Sequence, residues 1–160
     1  MSSNSFIEWT RLLGTFGFED GDALTTGLDG SIYIAGYTSS NLDAQTNSGG
    51  DDAFISKFNP NGNKDWTRLL GTSEWDSGNA LTTGSDGSIY IAGYTGGDLD
   101  GQTFNGGEFD AFISKFNPDG TKDWTRLLNC AYWDLLGAGS EALTTGSDGT
   151  IYMAGSTIGQ

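Results

Sequence analysis

The sequence predicts an all-β fold of β-propeller type. It is read as four-stranded antiparallel blades, incomplete within one chain at about 2.75 blades, with strand order D-ABCD-ABCD-AB. Three observations predict it. The segment Trp9-Thr-Arg-Leu-Leu13 returns as Trp66–Leu70 and as Trp124–Leu128, at offsets of 57 and 58 residues. Each period holds four short apolar stretches separated by turn residues, and no stretch shows the 3.6-residue apolar period of an amphipathic helix. A fixed period of this size marks a repeat architecture, because one small sheet cannot bury its own apolar faces and needs copies of itself as neighbours. A stacked β-solenoid is the alternative, disfavoured because its coils are shorter and less hairpin-like.

Segment A is Asp22–Gly27, Asn79–Gly84 and Glu141–Gly146. Each is followed by Asp-Gly (29–30, 86–87, 148–149), a hairpin signal because glycine accepts positive φ. Segment B is Ser31–Thr38, Ser88–Thr95 and Thr150–Thr157, rich in the Ile, Tyr and Thr that suit strands. A polar, glycine-rich loop leads to segment C, Ala53–Phe58 and Ala111–Phe116, where alternation places Phe54 and Phe58 on one face and Ile55 and Lys57 on the other. Asn59-Pro-Asn-Gly62 and Asn117-Pro-Asp-Gly120 are turns, and the Trp-Thr-Arg-Leu-Leu segments form D. The whole chain, 1–160, reads as a single repeat domain with repeats 9–65, 66–123 and a partial 124–160. Eleven strands are too few to close a ring, so closure is expected from homo-oligomer partners or from further repeats of a parent chain.

Composition narrows the function. Seven Lys and Arg against 21 Asp and Glu give a net charge of -14, which argues against nucleic acid as a partner. All seven cations fall at repeat-equivalent positions (Arg11, Arg68, Arg126; Lys57, Lys115; Lys64, Lys122), as expected for structural pairing with carboxylates. There is no histidine, which removes the usual general base and imidazole-built zinc sites. Cys130 stands where the second copy has Thr72 and reads as a small-residue substitution. No apolar run approaches a membrane span and no signal peptide is seen at Met1–Ser5.

The segments 86–95 (Asp-Gly-Ser-Ile-Tyr-Ile-Ala-Gly-Tyr-Thr), 110–120 (Asp-Ala-Phe-Ile-Ser-Lys-Phe-Asn-Pro-Asp-Gly) and 123–128 (Asp-Trp-Thr-Arg-Leu-Leu) resemble the bacterial and cyanobacterial SBBP (seven-bladed beta-propeller) repeat. The resemblance covers nearly the whole chain. It implies a binding or scaffolding role without assigned chemistry, in an extracellular or cell-surface setting beside adhesive or calcium-binding modules.

Two sets of residues stand out as candidate sites. The D to A loops carry an aromatic followed by an acid in each copy: Phe18-Glu19, Trp75-Asp76 and Trp133-Asp134. An aromatic face stacks on the apolar side of a sugar ring while a carboxylate accepts hydroxyl hydrogen bonds, so one pair per blade makes a multivalent glycan-binding rim. The alternative is that the aromatics wedge between blades and the acids cap turns. The B to C loop collects Asp98 and Asp100 and runs through Glu108-Phe109-Asp110, with Asn41, Asp43, Asp51 and Asp52 in the first copy, hard oxygen ligands of the kind calcium takes. The alternative there is a solvated acidic loop. Near-identical copies are poor material for one asymmetric catalytic site, so no enzyme is expected. A glycosidase-like propeller ranks behind both a binding module and a calcium-stabilised structural repeat.

Overall fold

The computed structural model describes residues 9–128 and 139–156. Ten strands are present among them: β1 (Glu19–Thr26), β2 (Ile32–Thr38), β3 (Asp52–Phe58), β4 (Lys64–Leu70), β5 (Asp76–Thr83), β6 (Ile89–Thr95), β7 (Asp110–Phe116), β8 (Lys122–Leu128), β9 (Gly139–Thr145) and β10 (Ile151–Ser156). They form two four-stranded sheets, β1-β2-β3-β4 and β5-β6-β7-β8, and a two-stranded sheet of β9 and β10. Neighbours are antiparallel throughout, and the registers of the first two sheets coincide position for position. The four-stranded antiparallel blade expected from the repeat is therefore present twice, with an A-B hairpin beginning a third. No helix among the described residues is long and apolar enough to cross a membrane.

Turn chemistry explains the strand ends. At the β3–β4 turn Gly62 N–H donates to the Asn59 carbonyl at 2.8 Å, and at the β7–β8 turn Gly120 N–H donates to that of Asn117 at 2.9 Å. Gly120 has φ of +82°, and a Cβ there would also lie 2.7 Å from the Trp66 ring, so glycine serves both the turn and the neighbouring blade. The inner hairpin carries a bulge between Gly78 and Ala80 that brings the Ser77 carbonyl onto β6. A Cβ at Gly93 would sit 1.8 Å from that oxygen, a clash that only hydrogen avoids.

Strands β1, β5 and β9 lie side by side at the inner edges of their blades. Threonines stitch them: Thr83 Oγ1 donates to the Thr26 carbonyl and Thr145 Oγ1 to the Thr83 carbonyl, both at 2.9 Å. The core lies between the first two sheets. Tyr33, Ala35, Ala53, Ile55 and Leu70 of the first blade meet Leu81, Ile89, Ile91, Phe112 and Phe116 of the second. Burial follows neighbours rather than residue type: Leu81 is 7% exposed between two blades, whereas the equivalent Leu24, on the outer face of the first, is 68% exposed.

The leading D segment departs from expectation. Trp9–Leu13 is not a strand, so ten strands rather than eleven are formed among the described residues. The reason is that it has no C strand to pair with, and its backbone groups find no ladder. Trp9 nevertheless keeps the side-chain position of a D strand. It stacks on Phe58 at 6.2 Å and its indole N–H donates to the Pro60 carbonyl at 3.2 Å, as Trp66 stacks on Phe116 at 6.4 Å and donates to Pro118 at 3.2 Å.

The cations divide into two kinds. All four lysines pair with carboxylates, as expected. Nearly buried Lys57 lies 3.4 Å from Asp29 and 3.5 Å from Asp65 and reaches the Pro118 carbonyl of the next blade at 3.2 Å. Lys115 repeats the arrangement with Asp86 and Asp123, while Lys64 pairs with Asp43 and Lys122 with Asp100. The arginines make no ion pair among the described residues. Arg68 and Arg126 instead lie 5.5 Å over Trp66 and Trp124 and donate to backbone carbonyls, because a strand places residues i and i+2 on one face.

Trp66 thus ties two blades by stacking and by a hydrogen bond. Trp66→Ala is expected to lower unfolding free energy by about 3 kcal/mol. Trp124→Ala, which removes no cross-blade contact among the described residues, is expected to cost clearly less. Urea melts of both variants check this, and equal losses would show that the cross-blade contact does not matter.

Candidate functional site

The site grows out of the seam between the two complete blades. The D to A loop before β5 runs over the B to C loop before β3, and the two are joined by backbone hydrogen bonds: Gly50 N–H to the Ser73 carbonyl at 3.3 Å, and Asp76 N–H to the Asp51 carbonyl at 2.7 Å. Glycine makes the approach possible, since a Cβ at Gly50 would lie 2.4 Å from Trp75 Cδ1. On the other side the Trp75 carbonyl accepts from Gly96 N–H at 2.9 Å. Held there, Trp75 stays 59% exposed. It lines a cleft of about 240 Å³ together with Glu74, Gly96, Glu108 and Phe109. Phe109 is steadied by Tyr94, whose ring centre is 4.6 Å away.

The two aromatic-acid pairs among the described residues do not act as units. Trp75, in the loop, is at the surface, but Asp76, the first residue of β5, is fully buried. Its Oδ2 accepts from Thr72 N–H at 2.7 Å and Thr72 Oγ1 at 3.0 Å, while Oδ1 has no partner. Burial pushes its carboxyl up to about 6, against the lowering effect of the nearby Thr95 hydroxyl and the Thr72 hydrogen bonds, and Asp52 adds to the rise. Asp52 is also fully buried and also raised by burial; its Oδ2 accepts from Ser48 N–H at 2.9 Å.

In the first blade Phe18 is 81% exposed, and Glu19 accepts from Thr15, Thr38 and Ser40. Burial opposes ionisation of Glu19, but those hydrogen bonds outweigh it and hold the carboxyl below its ordinary value. The acids therefore cap turns and are spent before any ligand arrives. Trp133 and Asp134, like Cys130, lie outside the described residues.

The acidic B to C loop is similarly occupied. Asp98 Oδ1 accepts from Phe104 N–H at 2.7 Å, and Asp100 pairs with Lys122 and the Thr125 hydroxyl. Asp110 is buried, with Oδ2 accepting from Asn105 N–H at 3.0 Å and Oδ1 unpartnered. Among the described residues no three such side chains converge in a way that could hold a metal ion.

The cleft itself belongs to one blade. By register, Ser39 and Asp51 stand in the first blade where Gly96 and Phe109 stand in the second. By register no equivalent aromatic stands opposite Phe18, so among the described residues the first two copies do not form a repeated rim. Glu108 and Phe109 belong to the acidic B to C loop that the sequence marks as a calcium candidate, whereas Glu74 carries no repeat signal, since the first copy has Gly17 at its position. The signal that marks Phe109 is a departure from the repeat, an aromatic immediately before β7 where the first copy has Asp51.

Taken together, repeated four-stranded sheets packed face to face, with loops gathered into a cleft at one seam, define a β-propeller repeat module. A family described as beta-propeller repeat (SBBP) matches residues 65–100. A second, described as a domain of unknown function (DUF5122) beta-propeller, matches 28–67 and 84–125, just over half of the chain. The chain belongs to this β-propeller repeat family. It is also similar to the regulatory protein FlaEY of Caulobacter vibrioides, 32% identical over 131 residues. That match takes in 74% of this chain but only 13% of the relative, so the chain spans a small part of that protein's length.

The raised carboxyl of Asp76 has a thermodynamic consequence. Between its ordinary 3.8 and about 6 the folded chain binds this proton and the unfolded chain does not. This contribution therefore favours the fold at low pH and is lost as pH rises through that window, by about 3 kcal/mol at most. Urea melts from pH 4 to pH 7 on wild type and Asp76→Asn test it. The wild type should lose stability relative to the variant as pH rises, and a constant difference would contradict the burial of a titrating group.

Proposed function

We propose that this chain is a non-catalytic binding module whose ligand is a carbohydrate held in the seam cleft between Trp75 and Phe109. The observation that carries the reading is the cleft: an exposed indole fixed by the loops of two blades, a second aromatic across from it, and two carboxylates on the lining. Aromatic faces take the apolar side of a sugar ring, and carboxylates accept hydroxyl hydrogen bonds. At about 240 Å³ the cleft is smaller than the pockets of drug-sized ligands, so it suits one sugar unit of a chain rather than a buried oligosaccharide. The net charge of -14 speaks against sulfated or otherwise polyanionic ligands.

A glycan array probed with wild type and Trp75→Ala tests the reading. Binding is expected in wild type and about tenfold weaker in the variant, the loss typical of truncating a central aromatic contact. Absence of glycan binding in both proteins, or equal binding by both, overturns it.

A second reading, a calcium-stabilised structural repeat, draws on the unpartnered buried oxygens of Asp52, Asp76 and Asp110. Calcium prefers such oxygen ligands. On this reading the melting temperature rises with added calcium and falls with a chelator, and superimposable melts dismiss it.

A further inference from the structure

Resting on the carbohydrate reading, we propose that the cleft selects a cationic sugar, a 2-amino-2-deoxy hexose unit with its amine protonated, over its neutral N-acetylated counterpart. The argument begins with hydrogen-bonding capacity. A neutral sugar presents hydroxyls that both donate and accept, and sites for it mix donors with acceptors. Among the described residues, the side chains lining this cleft are two acceptor-only carboxylates, Glu74 and Glu108, and two aromatics, with the Trp75 indole N–H as the one side-chain donor. An ammonium group, which only donates, matches that lining.

Charge bookkeeping points the same way. The chain's four lysines are consumed by Asp29, Asp65, Asp43, Asp86, Asp123 and Asp100. Arg68 and Arg126 are laid over tryptophans elsewhere. Glu74 accepts a single side-chain hydrogen bond, from Ser73 Oγ at 3.3 Å, and Glu108 has no hydrogen bond or ion pair among the described residues. The cleft therefore holds two uncompensated negative charges beside an exposed indole face. Each of those features attracts a cation: the carboxylates by charge, the ring by its quadrupole. The two acids also come from different loops, Glu74 from the D to A loop and Glu108 from the B to C loop of the same blade, so a cation between them bridges the walls of the cleft.

The test is titration calorimetry with a glucosamine tetramer and its fully N-acetylated counterpart, at mildly acidic pH where the amine is protonated. The amino form is expected to bind wild type about tenfold tighter at low salt, the combined effect of a cation over an indole and exposed ion pairs. In Glu74→Gln/Glu108→Gln this preference disappears while the N-acetylated form still binds. In Trp75→Ala both forms weaken. A charge-matched control, Asp20→Asn/Glu141→Gln, alters exposed acids away from the cleft and is expected to keep the preference.

Equal affinity of wild type for the two tetramers overturns the inference and leaves the carbohydrate reading standing. Loss of the preference in the control as much as in the cleft variant reduces it to bulk charge and also overturns it. Tetralysine binding as tightly as the glucosamine tetramer, with the same dependence on Glu74 and Glu108, assigns the cleft to basic peptides instead. If neither tetramer binds, the carbohydrate reading fails and the inference falls with it.

Discussion

A four-stranded sheet with apolar residues on both faces has nowhere to put either face by itself, and the packing of one blade on the next is the interaction on which everything else here depends. Between the first two blades it is made by Tyr33, Ala35 and Ile55 against Ile89, Ile91, Phe112 and Phe116, with Trp66 bolted onto the turn at Pro118. Leu24 and Leu81 have the same sequence surroundings and opposite fates because only the second has a blade on each side. The inner threonines then fix the spacing of the strands, since each hydroxyl finds the carbonyl of the preceding blade.

The cleft follows from that packing. Once the blades are seated, the loop at 48–51 must pass over the loop at 71–75, and glycines at 49 and 50 let the two backbones touch. Trp75 is held at the seam by its carbonyl's bond from Gly96 N–H and by the close approach of Gly50, while the carboxyls of Asp52 and Asp76 are buried. Burial of those two acids opposes folding at neutral pH, and the seam is stable because hydrogen bonds from Ser48 and Thr72 and a large apolar contact offset that cost.

A strongly acidic chain with few cations also shows a division of labour. Aspartates at 29, 86 and 148 cap turns by accepting from the amide two residues on. Lysines at 57 and 115 clamp the strand ends to those same turns at 29 and 86. Lysines 64 and 122 are committed to Asp43 and Asp100, so acids outside these turns and ion pairs, such as Glu108, have no cationic partner among the described residues. The surplus at the cleft is thus a product of how the repeats use their cations.

Much of the fold was legible in the chain, because strands, turns and repeat period are local properties: Asp-Gly demands a hairpin wherever it stands, and alternating Phe-Ile-Ser-Lys-Phe suits a strand in either copy. Trp9–Leu13 was misread because a strand also needs a partner, and identity with Trp66–Leu70 supplies none. The sites were less legible. Trp75 was visible as a loop aromatic, yet it does not share a surface with Asp76, because the chain enters β5 at Asp76 and that carboxyl is buried while the indole stays exposed. The sequence by itself determined the blade, its turns and its two sticky faces, which depend on residues close along the chain. Only the tertiary structure decided which acids are buried, which stay at the surface, and that Glu74 and Glu108 share a cleft. Those depend on loops more than thirty residues apart being brought together by the blade's own sheet.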